Sequence, residues 1–307
     1  GITEGECLYH PPIGVFEPEE ACRWTTDDID VNTSRKDVVG TPIVINLTDD
    51  NGDGLTNSQD IPDIAFLSYD YSGVGCCNVN STLRIVSGQC NGDGTMTTIA
   101  SLNELPMNND TGIAAGDLDG DGVPELLVLG YHDSHPHGTI AWRRLADDGS
   151  EWEVAWTNDD YPTWNVHTRG GATISLSDIE GDGAPEVIIG NVVLNGQTGE
   201  LRWDGLDSDP DGGIGNNAFL GPSATVADID LNGLQEVIAG NTLYNHDGTI
   251  RWSYEYTTNN SDCDGNLPCD GFNATGNFDD DPEGEIVIIR LGELFILNHD
   301  GSLLWQV

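Results

Sequence analysis

Short apolar runs recur along the chain, and each is entered through an acidic turn. They read Glu125-Leu-Leu-Val-Leu-Gly130, Glu186-Val-Ile-Ile-Gly190, Glu236-Val-Ile-Ala-Gly240, Glu285-Ile-Val-Ile-Ile289 and Asp63-Ile-Ala-Phe-Leu67. Continuous runs this short, rich in β-branched residues and lacking polar alternation, predict strands buried on both faces. A second pattern follows the first. Leu194-Asn-Gly-Gln-Thr-Gly-Glu-Leu-Arg-Trp203, Tyr244-Asn-His-Asp-Gly-Thr-Ile-Arg-Trp252 and Leu297-Asn-His-Asp-Gly-Ser-Leu-Leu-Trp305 each read strand, glycine turn, strand. Asn-Gly and Asp-Gly between apolar residues are strong hairpin signals.

The two patterns keep phase. The acidic turns begin at 117, 178, 228 and 277, offsets of 61, 50 and 49, and the closing tryptophans are 49 and 53 residues apart. Trp156, 47 residues before Trp203, closes the preceding copy. A period of roughly 50 residues carrying four short strands is the size of a propeller blade. The expected class is therefore all-β, a β-propeller of four-stranded blades, with the apolar runs as its inner strands. Five repeats are clear, near 41–105, 106–160, 161–216, 217–264 and 265–307, behind an N-terminal segment 1–40. They form a five-bladed ring, a seven-bladed ring with degenerate blades, or an incomplete ring; a segment of a longer chain is the favoured reading. Tryptophans at a fixed place in each repeat are read as inter-blade packing rather than sugar-stacking platforms.

The acidic turns carry the chemistry. Oxygen-bearing side chains fall at positions 1, 3, 5 and 9 of each nonapeptide: Asp117, Asp119, Asp121, Glu125; Asp178, Glu180, Asp182, Glu186; Asp228, Asp230, Asn232, Glu236; and Asn277, Asp279, Asp281, Glu285. The position-7 residues Val123, Ala184, Leu234 and Glu283 complete these candidate sets. The first repeat is longer, with Asn46, Asp49, Asn51, Asp53, Asp60 and Asp63, and its 49–60 stretch has the spacing of an EF-hand loop, resembling the dockerin form. It runs directly into a strand, so it reads as a loop inserted in a blade. Hard cations take six to eight oxygens, and a tight turn aims alternate side chains at one point. About four or five Ca²⁺ ions are expected.

Composition narrows the partners. Asp and Glu number 53 against 10 Lys and Arg, a net charge of −43, with Lys36 the only lysine. Such a chain lacks the basic face that nucleic acid requires, and it repels an anionic membrane surface. No stretch is long and apolar enough for a membrane span. Seven cysteines, Cys7, Cys22, Cys76, Cys77, Cys90, Cys263 and Cys269, show no Cys-x-x-Cys pair. Local pairing is expected: Cys7 with Cys22, Cys76 or Cys77 with Cys90, and Cys263 with Cys269. That pattern implies an oxidising, extracellular compartment.

Taken together, the Asp-x-Asp-x-Asp-Gly-x-Pro-Glu turns and their strands resemble the FG-GAP (VCBS-type) repeats of the integrin α-subunit propeller, over roughly residues 40 to 307. The resemblance implies a calcium ion in each turn, held between the outer two strands of the motif, and a ring usually of seven blades. It also implies a secreted or cell-surface module that binds an extracellular protein or glycan, other parts of a longer chain, or copies of itself.

Signatures of catalysis are sparse. There is no Gly-x-Ser-x-Gly, His-Glu-x-x-His or phosphate loop, so no catalytic residues are assigned. Gly213-Ile-Gly215-Asn-Asn-Ala218 matches a dinucleotide turn only superficially, since no strand precedes it. Two constellations remain as ligand-binding candidates. Tyr131, His132, His135 and His137 could hold a transition metal or supply a base, or form a polar connection. Trp164, His167 and Arg169 suit a sugar or a carboxylate, or ordinary packing. The leading expectation is a calcium-stabilised recognition, adhesion or surface-assembly module. The alternative is a polysaccharide-active, lyase-like enzyme.

Overall fold

The computed structural model describes residues 19–26, 29, 31–72, 79–131, 138–159, 171–205, 212–217, 220–256 and 269–307. Among them the chain forms five four-stranded sheets, each an antiparallel meander of consecutive strands. Sheet 1 contains β1 (Ile43–Ile45), β2 (Asp63–Ser68), β3 (Asn80–Cys90) and β4 (Met96–Asn108). Sheet 2 contains β5 (Ala114–Gly116), β6 (Glu125–Leu129), β7 (Thr139–Arg144) and β8 (Trp152–Asn158). Sheet 3 contains β9 (Ser175–Ser177), β10 (Glu186–Ile189), β11 (Val192–Asn195) and β12 (Leu201–Asp204). Sheet 4 contains β13 (Ala224–Ala227), β14 (Glu236–Ala239), β15 (Thr242–Tyr244) and β16 (Ile250–Ser253). Sheet 5 contains β17 (Phe272–Gly276), β18 (Glu285–Arg290), β19 (Glu293–Leu297) and β20 (Leu303–Gln306).

The sheets stack in chain order, and the apolar runs explain why. Successive residues of a strand point to opposite faces. Leu126 and Val128 of β6 pack with Leu83, Ile85 and Leu102 of sheet 1, while Leu127 and Leu129 pack with Val187 and Ile189 of β10. Ile188 of β10 turns the other way, onto Val237 and Ala239 of β14, and Ile238 of β14 meets Ile286 and Ile288 of β18. A run that serves two cores has no polar side, hence no alternation. The succession is propeller-like.

One sequence expectation is corrected. The apolar runs are second strands, and the first strands β5, β9, β13 and β17 approach one another from sheet to sheet. Their small residues, such as Ala114-Ala-Gly116 and Ser175-Leu-Ser177, permit close approach where sheets converge. The bulky runs fill the thicker layer beyond.

The tryptophans pack between sheets, as their phase predicted. Each indole of Trp156, Trp203 and Trp252 donates to a backbone carbonyl in the third-to-fourth-strand turn of the next sheet, at Gly196, His246 and His299 (2.9, 2.9 and 3.0 Å). The turn glycines Gly199, Gly248 and Gly301 have φ of +72°, +81° and +82°. A Cβ at Gly199 would lie 2.3 Å from the Trp156 ring, so this glycine is required by both backbone and neighbour. Trp305, at the same place in β20, is 49% exposed.

The N-terminal segment covers the outer face of sheet 1. Cys22 and Trp24 pack against Phe66, Val86 and Met96. Fully buried Arg84 donates to Ser68 and to the backbone carbonyls of Val31 and Asn32. The disulfide here is Cys22–Cys90, across 68 residues. This corrects the expected Cys7–Cys22 pair and the pairing of Cys90 with Cys76 or Cys77. Sequence distance misled because the segment doubles back over β3 and β4. Cys269 is disulfide-bonded as well; Cys7, Cys76, Cys77 and Cys263 lie outside the described residues.

Trp203→Ala should lower unfolding free energy by about 2–3 kcal/mol, at the low end for a large aromatic because its ring is half-buried. Trp305→Ala should cost under about 1 kcal/mol, in line with exposed substitutions. Denaturant midpoints of the two variants check this; equal losses would contradict the assigned packing.

Candidate metal centres

Each acidic turn joins the first and second strands of its sheet, so the closing carboxylate opens the buried second strand. The resemblance implied an ion between the outer two strands, and the turns lie instead at the first pair. In sheet 2, Asp117 folds the loop around itself, accepting the amides of Gly120 (2.8 Å) and Gly122 (2.9 Å). Asp119 accepts from Asp121 and Asp121 from Val123. Gly122 has φ +88°, which places position 6 in the left-handed region that favours glycine. The turn of sheet 3 repeats this with Asp178 and Asp182, and that of sheet 4 with Asp228, Asp230 and Asn232. In the first repeat Asp49 receives the amides of Gly52 and Gly54, with Asn51 and Asp53 bonded in the same order.

Sheet 5 departs from this plan. Pro282 replaces the position-6 glycine, and Asn277 donates to the carbonyls of Asp281 and Glu283 (2.7 and 3.3 Å). Asn277 thus braces the turn from the donor side, where Asp117 does so as an acceptor.

The closing carboxylate behaves alike in all five. One oxygen accepts the position-2 amide: Glu125 from Leu118 (2.7 Å), Glu186 from Ile179 (3.0 Å), Glu236 from Ile229 (2.9 Å), Glu285 from Phe278, and Asp63 from Leu47 (3.1 Å). The other oxygen meets different partners. Arg202 bonds Glu186 Oε1 and reaches Glu180 at 2.6 Å. Arg251 bonds Glu236 at 2.9 Å and Asp230 at 2.8 Å. In sheet 5, Glu285 is fully buried and its Oε1 has no hydrogen-bond partner. In the first repeat the buried Asp63 Oδ1, Asp60 Oδ1 and Asn46 Oδ1 are likewise unpartnered.

Ligand atoms of Asp117, Asp119 and Glu125 lie within 4.8 Å of one another, as do those of Asp228, Asp230 and Glu236, and of Asp279, Asp281 and Glu285. Burial, and then the neighbouring Asp119, Asp121 and Asp117, push the Glu125 carboxyl up to about 7. Burial also raises Asp63, Glu186 and Glu236. Crowded carboxylates with stranded buried oxygens fit a hard dication, which would share several oxygens at once.

Three residues here escaped the sequence reading. Arg202 and Arg251 each stand immediately before a repeating tryptophan, and that offset was their only signal. His299, in the β19–β20 turn, places Nδ1 4.0 Å from Asp281 and groups with Asp281 and Glu283.

Of the other candidates, Tyr131 alone lies among the described residues. The Tyr131 amide donates to Pro106; His132, His135, His137, Trp164, His167 and Arg169 lie outside the described residues. The Gly213 stretch has a different use. Buried Asp270 accepts the amides of Ile214, Gly215 and Asn216, so those donors serve a side chain of the protein.

No protein-family profile matches the chain, and no curated protein sequence does. Among solved structures it resembles the V. cholerae biofilm matrix protein Bap1, at 23% identity and a TM-score of 0.69, over 94% of this chain and 42% of that one. At this identity the likeness is one of fold. The exotype rhamnogalacturonan lyase YesX (16% identity, TM-score 0.49) and the Bacillus licheniformis rhamnogalacturonan lyase PL11 (17%, 0.45) each match over 89% of this chain. The chain covers 42%, 52% and 54% of these three proteins.

Burial raises the Asp270 carboxyl to about 6, against the pull of its three amide donors. A carboxyl raised on folding contributes stability that is present at low pH and lost as pH rises through the folded value. With calcium in excess, the melting temperature of Asp270→Asn should therefore vary less between about pH 4 and 6 than that of the parent protein. Parallel melting curves across that range would contradict the assignment.

Proposed function

We propose that the chain is a calcium-clamped, propeller-type module that recognises a protein or glycan outside the cell, in adhesion or surface assembly. The observation that carries the calcium reading is the Glu285 carboxylate, fully buried and with one oxygen unpartnered beside Asp279 and Asp281. A buried charge left so is costly unless a cation completes it. Asn277, Asp279, Asp281, the Glu283 position and Glu285 would hold the ion in sheet 5. Asp117, Asp119, Asp121, Val123 and Glu125 would hold it in sheet 2. The FG-GAP-like spacing of the turns supports the same assignment.

The extracellular setting draws on the Cys22–Cys90 disulfide and the −43 charge. The fold shared with a biofilm matrix protein is in keeping with it. On this reading the ions are structural. Each neutralises carboxylates that otherwise repel, and binding stabilises the folded state alone.

Chelation should lower the melting temperature by more than about 10 °C, since each site at a hundredfold excess over its dissociation constant adds about 2.7 kcal/mol. An unchanged melting curve would sink the calcium assignment. For the recognition role, a glycan array run with calcium should show retained ligands. Release of unsaturated products from uronate-containing polysaccharides would favour the lyase alternative instead.

A further inference from the structure

The five turns differ in whether the protein already supplies a cation. In sheets 3 and 4 the residue before the repeating tryptophan is Arg202 or Arg251, and its guanidinium bridges positions 3 and 9 of the acidic turn. The same place holds Ala155 in sheet 2 and Leu304 in sheet 5. The nearby arginines make no ion pair with a candidate ligand carboxylate among the described residues, although Arg143 lies within electrostatic reach of Asp119 and Glu125. Arg143 pairs with Glu153 across β7 and β8. Arg144 donates to the Leu47 carbonyl and the Thr56 hydroxyl and pairs with Asp147, which is not one of the first repeat's candidate ligands. Unpartnered buried oxygens occur on Glu285, Asp63 and Asp60 and not on Glu186 or Glu236; Glu125 of sheet 2 has none either, so this sign separates sheets 1 and 5 from sheets 3 and 4.

We propose that Arg202 and Arg251 are built-in counter-cations that make the turns of sheets 3 and 4 the weak, last-filling calcium sites, while those of sheets 1, 2 and 5 fill first. The inference rests on the calcium reading above. A dication entering sheet 3 must share Glu186 Oε1 and Glu180 Oε2 with a guanidinium already within hydrogen-bonding distance. It loses net ligand charge and gains a like-charged neighbour. Calcium affinity in oxygen-ligand loops is tuned by that charge count, down to the 10⁻⁴–10⁻³ M range of extracellular modules. Sheet 4 is weaker still in charge, with Asn232 at position 5. The middle sheets thus have one carboxylate charge offset by the protein when calcium is scarce, and they respond to calcium only at higher concentration.

The test is a count of bound calcium across a titration of the chelator-stripped protein, by equilibrium dialysis. Two phases are expected, the weaker containing two ions. Arg202→Gln and Arg251→Gln should each move one ion from the weak phase to the tight one, a gain of at least about tenfold. Arg251→Lys keeps the charge and should keep the weak phase. Arg23→Gln, which removes the same charge from an exposed pair with Glu20, should leave the curve unchanged. Should a stripped variant fail to fold, graded chelation of the calcium-loaded variant reads the same affinities by release. A single-phase parent curve, or a weak phase untouched by both glutamine variants, overturns the arginine inference while leaving calcium in place. A protein that binds no calcium overturns the reading beneath it.

Discussion

A buried carboxylate with one oxygen tied to the backbone recurs at the start of every second strand. Its position is forced. The residue must close the acidic turn and also open a strand that is buried on both faces, so its charge enters the protein with the strand. The position-2 amide satisfies one oxygen in all five repeats. What meets the other differs from repeat to repeat, while the register of first and second strands is kept in all five. Two repeats answer with arginine, and two leave the oxygen without a protein partner.

Much of this was legible in the residues. Continuous apolar runs such as Glu186-Val-Ile-Ile predict a strand with two buried faces, and two cores do meet on β10. The phase of Trp203 and Trp252 predicts packing between repeats, and both indoles bond the next sheet. What stayed hidden depends on how the chain returns in space. Whether the apolar run lies first or second in its sheet is not encoded in its own composition; the small residues of Ala114-Ala-Gly116 were the clue to the converging strand. Cys22 pairs with Cys90 because a segment far away in sequence lies over sheet 1. Arg202 reads as an ordinary surface residue of a hairpin until β12 is placed beside the turn that opens β10.

The two edges of the stack are held by different chemistry. In a four-stranded meander the first-to-second and third-to-fourth connections share one edge. The acidic turns and the tryptophan-bearing turns therefore lie together, which is how His299 comes to face Asp281. The opposite edge carries the connections between sheets. These interlock through backbone hydrogen bonds: Gly112 to Ala172, Gly171 to Asp110, Thr173 to Pro222, Ser223 to Gly215 and Gly271 to Asn216. Asp270 adds its three amide donors there. None of these contacts involves a candidate metal ligand. If the acidic turns hold cations as proposed, removing them would load repulsion onto one edge and leave the other edge's hydrogen bonds in place, so the sheets would splay from the acidic edge while staying joined behind. A surface built on the backbone-bonded edge would keep its geometry through that change; one built across the acidic turns would not. On this argument a calcium-independent ligand belongs to the edge of the inter-sheet connections, and a ligand lost with calcium belongs to the edge of the acidic turns.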